Sequence, residues 1–210
     1  MRKEKNVLVA GANGTTGKII INLLKESEHY RPIAMVRKQE QKDYFEKENV
    51  STVMAELEGD LSHALKNADK VIFAAGSKGK NVIGVDQEGA KKLIDAAKNA
   101  GVGKFVMLSS LGADNPSVSD ALEDYLKAKQ NADNYLKDSG LNYSIVRPGA
   151  LTDEGSTGKI QLKEKLEKQG SISRADVAKT LVEVLEDEIM KNQVFEIIAG
   201  ETPIEKAVRS

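Results

Sequence analysis

Val7-Leu8-Val9-Ala10, Gly11-Ala12-Asn13-Gly14-Thr15-Thr16-Gly17 and Lys18-Ile19-Ile20-Ile21-Asn22-Leu23-Leu24 read as a strand, a glycine-rich turn and a helix in immediate succession. Such a junction is built to receive a phosphate. Glycine removes the Cβ that would keep an anion away from the backbone, and the first helical turn offers unpaired N–H groups and a partial positive charge. Set between a strand and a helix, the glycine string predicts dinucleotide binding rather than a plain tight turn, with the diphosphate held by Gly11, Asn13, Gly14, Thr15, Thr16 and Gly17.

Working outward, apolar runs of strand length alternate with helical periods, the pattern of a doubly wound α/β fold with a parallel sheet and helices on both faces. Strands are expected at Ile33 to Val36, Thr52 to Ala55, Lys70 to Ala74, Phe105 to Leu108, Tyr143 to Val146 and Val194 to Ala199. Between them fall a polar helix through Tyr44 and Phe45, a short one near Leu61 to Leu65, and helices over about 86–100, 119–137 and 175–186. Ser173 and Asp176 have N-cap and N3 spacing for the last helix. Asp153 to Gly158, rich in small polar residues, is expected to be a mobile loop. The 210 residues suit one nucleotide-binding domain with a small substrate-side region over about 149–210.

Composition narrows the partners. A net charge of −1, with no basic block, disfavours nucleic acid, and no apolar run approaches membrane-spanning length. The charged start Met1-Arg2-Lys3-Glu4-Lys5 is followed by an apolar stretch that breaks at Gly11, so a cytoplasmic protein is expected. With no cysteine and only His29 and His63, neither a thiolate nucleophile nor a metal site is expected.

Two constellations carry chemistry. Past the second strand the chain reads Val36-Arg37-Lys38, where an NAD-binding protein would place an acid on the ribose hydroxyls. Two cations there favour a 2′-phosphate, hence NADP (NADPH) over NAD. Further on, Tyr125 and Lys129 lie one turn apart on the long helix, on a stripe with Leu122, Ala132 and Leu136. A lysine on an apolar face either snorkels to the rim or is kept for its charge. Its use here would be to lower the proton affinity of the Tyr125 phenol, ordinarily near ~10, so that it exchanges a proton with a carbonyl or alcohol oxygen.

With these residues the chain resembles the short-chain dehydrogenase/reductase superfamily over nearly its whole length. The resemblance rests on Gly11, Gly14 and Gly17, Glu58-Gly59-Asp60-Leu61, Ala74-Ala75-Gly76, Ser109-Ser110, the Tyr125/Lys129 pair and Arg147-Pro148-Gly149. Val85-Asp86 with Gly89, Ser139-Gly140-Leu141 and Ser173-Arg174-Ala175-Asp176-Val177-Ala178 are similar to the small atypical branch: NmrA-like proteins, flavin or biliverdin reductase-like enzymes and small epimerase/dehydratase-like chains. The resemblance implies that Asp60 and Leu61 border the adenine, Ala74, Ala75 and Gly76 line its ribose, Lys129 holds the nicotinamide ribose, and Pro148 and Gly149 shape the nicotinamide pocket. Ser109 and Ser110 both remain candidates for the catalytic serine, and Asp86 stands where an asparagine often sits.

The implied activity is hydride transfer between NADP and a small carbonyl, quinone or flavin-like acceptor, with Tyr125 as proton donor. The competing reading is a non-catalytic NADP-binding redox sensor with a regulatory protein partner. Sugar epimerisation is disfavoured, because little chain follows Gly149. A homodimer is compatible with either reading. The acceptor would face loops 76–83, 111–118 and 151–165.

Overall fold

The computed structural model describes residues 4–77 and 81–210. Residues 1–3 of the charged start, and 78–80 of the first acceptor-facing loop, lie outside them. β1 (Lys5–Ala10), α1 (Thr15–Lys25), β2 (Tyr30–Val36), α2 (Gln39–Lys47), β3 (Ser51–Met54) and β4 (Lys70–Phe73) form the first half. The second half continues with α3 (Ala90–Asn99), β5 (Lys104–Leu108), α4 (Glu123–Asp138) and β6 (Tyr143–Pro148). The chain ends with β7 (Ala150–Thr152), β8 (Lys159–Lys163), β9 (Ser171–Ser173), α5 (Arg174–Glu183), β10 (Gln193–Ala199), β11 (Thr202–Pro203) and α6 (Ile204–Ala207).

Nine strands form one sheet in the order β11-β8-β10-β6-β5-β4-β1-β2-β3. Every pairing from β3 to β10 is parallel, and only the β8 and β11 edge runs antiparallel. The run β3-β2-β1-β4-β5-β6 is the doubly wound Rossmann order, which reverses direction between β1 and β4 and opens a crevice at their carboxyl ends. Alternation along the strands divides the core. Val7 and Val9 pack with Ile20, Ile21 and Leu24 of α1 on one face. Leu8 and Ala10 pack with Leu93 and Ile94 of α3 and Leu136 of α4 on the other. β1 is therefore apolar throughout because both of its faces are covered.

Several local expectations shift. The helix expected from Asp86 starts earlier, as a π-helical turn Val82–Gly89 whose Asn81 side chain accepts a hydrogen bond from the Gly84 N–H at 3.0 Å. α4 starts at Glu123, after two 3₁₀ turns, rather than at 119, and Leu122 therefore leaves the buried stripe and is 52% exposed. The loop 153–158, expected to be mobile, is pinned. Asp176 accepts hydrogen bonds from Ser156 Oγ at 2.5 Å, the Gly158 N–H at 2.8 Å and the Thr157 N–H at 3.1 Å. Ser173 caps α5 as expected, its Oγ accepting from the Asp176 N–H at 3.0 Å. Asp176 thus couples a helix start to a loop, a contact between segments that local composition does not encode. The strands β7, β8, β9 and β11 were not anticipated.

Candidate functional site

The glycine turn sits at the carboxyl end of β1. Gly11 has φ +87°, and a Cβ there would stand 2.6 Å from the Ala74 carbonyl oxygen and the Ala75 nitrogen, so only glycine lets the turn press on the end of β4. A Cβ at Gly17 would come 2.1 Å from the Gly11 oxygen, so this residue sets how closely α1 approaches the turn. Gly14 is the N-cap of α1, with no side-chain cap and no acid in the first turn. Asn13, Gly14 and Thr15 are exposed, whereas Thr16 and Gly17 are buried. The first N–H groups of α1 therefore point outward with their partial charge uncompensated, the condition for anion binding.

At the end of β2, Arg37 and Lys38 are exposed, and the Gln41 side chain accepts from both backbone N–H groups. Lys38 lies 3.6 Å from Glu40, whereas Arg37 makes no ion pair among the described residues. Asp60 accepts from the Ser62 N–H and hydroxyl, contacts that hold its carboxyl below the usual range, and Leu61 is buried in the core. Ala74 and Ala75 back the Gly11 turn, and the exposed Gly76 leads from them toward Asp86. Pro148 and Gly149 are buried at the end of β6. A Cβ on Gly149 would meet the Gly170 oxygen at 2.2 Å, so close backbone packing alone accounts for this glycine.

The Tyr125/Lys129 pair lies across the crevice on α4. Tyr125 is half-buried, while Lys129 is only 3% exposed. The lysine does not snorkel to the rim. Its Nζ stands 5.6 Å from the Tyr125 ring centre and 5.9 Å from that of Phe73, donates to the Leu108 carbonyl at 3.3 Å, and lies 3.4 Å from Asp86 Oδ1. The two candidate serines separate. Ser109 is buried and donates to Asp133 Oδ2 at 2.9 Å. Ser110 is half-buried and has only a 3.3 Å bond to the Leu111 carbonyl, leaving its hydroxyl the freer of the two.

Asp133 was missed in the sequence, although it falls one turn after Lys129 on the same side of the helix. Arg147 grips its Oδ2 through Nε at 3.0 Å and Nη2 at 2.9 Å. Burial pushes the Asp133 carboxyl up, against the pull of Arg147 and Ser109. This cluster ties α4 to the ends of β5 and β6 and so fixes the backbone that carries Tyr125 and Lys129. Arg147 also reaches toward Asp114 at 3.9 Å, which in turn pairs with Lys165 at 2.6 Å, linking two of the loops expected to face the acceptor. Among the described residues no group of three or more His, Cys, Asp or Glu is placed to hold a metal, and no helix is long and apolar enough to cross a membrane.

The geometry is thus an uncapped helix start, a buried ammonium, a phenol and a serine hydroxyl around the carboxyl ends of β1, β4, β5 and β6. Comparison with known proteins identifies the family. Residues 11–188 match the model of an NAD(P)H-binding family. The chain is 40% identical to a Bacillus subtilis protein named as the uncharacterised sugar epimerase YhfK, over 97% of this chain and 98% of that one. A solved structure from Bacillus halodurans, described as an NAD-dependent epimerase/dehydratase, superposes with a TM-score of 0.93 at 39% identity, covering 98% of this chain and 99% of its own. ChuY, an anaerobillin reductase of Escherichia coli O157:H7, gives a TM-score of 0.83 at 25% identity over 93% of this chain and 98% of its own. The chain belongs to this NAD(P)H-binding family, within the atypical branch of the short-chain dehydrogenase/reductase superfamily.

Proposed function

We propose that the protein is an NADP-dependent reductase that passes hydride to a small carbonyl, quinone or flavin-like acceptor. The observation that carries this reading is Lys129, an ammonium buried beside a phenol at the mouth of the nucleotide crevice and only loosely engaged by the protein itself. The residues present fit a nicotinamide coenzyme. The open N-terminus of α1 suits a diphosphate, and the exposed Arg37 with Lys38 suits a 2′-phosphate.

When bound, the coenzyme supplies the hydride. Lys129 binds the nicotinamide ribose through an N–H that its protein contacts leave over. Tyr125 gives a proton to the acceptor oxygen, and Ser110 donates a hydrogen bond that orients that oxygen. Ser109 serves through Asp133, holding the end of β5 to α4. Sugar epimerisation is disfavoured although relatives carry that label. Residues 150–210 build the edge of the main sheet, the small β7-β9 pair and α5, which packs on α1, so they extend the nucleotide-binding layers rather than fold apart from them.

Calorimetric titration with NADPH and with NADH tests the reading. Tighter binding of NADPH is expected, and Arg37→Ala should weaken NADPH much more than NADH. A preference for NADH would overturn the 2′-phosphate assignment, and no heat from either coenzyme at millimolar concentration would overturn the whole. An NADPH-oxidation screen over carbonyls, quinones and flavins then identifies the acceptor class. Silence across that screen, with firm but unequal binding of NADPH and NADP, would favour a redox sensor.

A further inference from the structure

Asp86 is 1% exposed and sits in the π-helical turn Val82–Gly89. Such turns are rare and cluster at functional sites. The two carboxylate oxygens face different tasks. Oδ2 accepts from the Ser77 N–H at 3.0 Å and the Ser77 hydroxyl at 2.7 Å, on the segment that continues Ala74, Ala75 and Gly76 from the end of β4. Among the described residues Oδ1 is buried with no hydrogen-bond partner, its nearest cation being Lys129 Nζ at 3.4 Å. A Cβ on Gly76 would stand 3.3 Å from this same oxygen, so the glycine keeps the segment close without covering it.

A buried carboxylate is costly unless a charge opposes it, and a buried ammonium is costly for the same reason. Asp133 also attracts Lys129, but its charge is already committed elsewhere. Asp133 is taken by Arg147, and Tyr125 presents a ring face. Asp86 is therefore the counter-charge that allows Lys129 to be held this deep. An ammonium has three N–H donors. The Leu108 carbonyl takes one, Asp86 faces a second, and the third is left for the crevice.

We infer that Asp86 is a positioning residue of the coenzyme site: its carboxylate fixes the Lys129 ammonium from one side and Ser77 from the other, setting the span in which the nicotinamide ribose lies. The inference rests on the proposed coenzyme reading. An asparagine here could accept the Ser77 bonds but would not balance the lysine. The aspartate thus locks Lys129 by charge as well as by geometry.

The test is a double-mutant cycle on binding of NADPH, or of NADH if that coenzyme proves the tighter, with ADP as the probe that lacks the nicotinamide ribose. Asp86→Asn should weaken the coenzyme about tenfold or more, the range of a lost charge-assisted contact, while ADP affinity stays within about twofold. In a Lys129→Met background Asp86→Asn should cost nothing further, because the group it positions is gone. Ser77→Ala, which keeps the charge and removes one bond to Oδ2, should reproduce the selective loss at about threefold and remains available if Asp86→Asn does not fold. Equal losses for coenzyme and ADP, additive losses in the cycle, or unchanged coenzyme affinity in the variants would overturn the inference. A wild-type protein that binds neither coenzyme would instead sink the functional reading on which it stands.

Discussion

The two ends of the parallel sheet both bury lysines, and they do so to opposite effect. At the amino end, Lys70 and Lys104 are neighbours across the β4-β5 register. Lys104 is fully buried and donates to the Glu186 and Ile189 carbonyls at 2.7 and 2.6 Å. Lys70 donates to the Leu185 carbonyl at 2.7 Å and pairs with Asp187. These carbonyls follow the end of α5, where the helix dipole favours cations. At the carboxyl end, Lys129 is buried almost as deeply, yet its contacts are longer, at 3.3 and 3.4 Å. A buried ammonium gripped by short hydrogen bonds holds the fold, whereas one held only by long contacts can still turn toward a ligand.

The largest expected effect breaks the amino end. Lys104→Met strands the buried Ile189 carbonyl and removes the bond to Glu186, and about 3 kcal/mol of stability should be lost, read as a lower urea midpoint. Coenzyme affinity of the folded fraction should be unchanged. A large loss of affinity in this variant would show that the two ends are coupled and erase the contrast. Next comes Tyr125→Phe at the carboxyl end, expected to cut NADPH-dependent reduction of a carbonyl about 100-fold while leaving the urea midpoint and NADPH affinity in place. A flavin-type acceptor that takes its proton from water would survive the change, so the pattern across acceptors also reports on mechanism. Smaller still, Lys129→Met leaves the Asp86 charge unopposed, and adding Asp86→Asn should recover about 1–2 kcal/mol of the stability lost. No such rescue is open to Lys104→Met, because its partners are backbone carbonyls. Failure of the second substitution to recover stability would mean that Asp86 and Lys129 do not balance one another.

The amino-acid sequence disclosed the parallel sheet because β1, β4 and β5 are apolar on both faces, and the glycine turn because each glycine answers a local steric demand. It disclosed Tyr125 and Lys129 because they share a helix face. What stayed hidden depends on partners far along the chain. Ser109 looked equivalent to Ser110 until Asp133 and Arg147 claimed its hydroxyl. The 153–158 loop looked mobile because small polar residues say nothing of an Asp176 carboxylate waiting 18 to 20 residues on. Lys70 and Lys104 each open an apolar run and nothing local marks their role, since the carbonyls they serve lie 115 and 82 to 85 residues later. Asp133 is the exception that could have been found, lying one turn beyond Lys129 on the face already judged to be buried.

The finest discriminator between the two ends is pH. Burial, followed by the neighbouring charge of Lys70, pushes the Lys104 ammonium down to about 8 from its ordinary 10.5, with Asp187, Glu188 and Glu186 pulling it back. Between pH 8 and about 10 the unfolded chain therefore still holds a proton that the folded chain has begun to release. More protons bound in the unfolded state means that stability rises with pH across this window. The neutral amine keeps two N–H donors, enough for the Glu186 and Ile189 carbonyls, so deprotonation need not break the contacts. Tyr30, which burial raises to about 12, works in the opposite sense once the unfolded phenol ionises near 10, and measurements should stay below that pH. Subtracting the Lys104→Met curve from that of the wild-type protein cancels groups common to both. The remaining difference should grow by about 1 kcal/mol from pH 8 to 9. A flat or falling difference would mean that Asp187 keeps Lys104 charged, and that the amino end holds an ion pair rather than a desolvated donor.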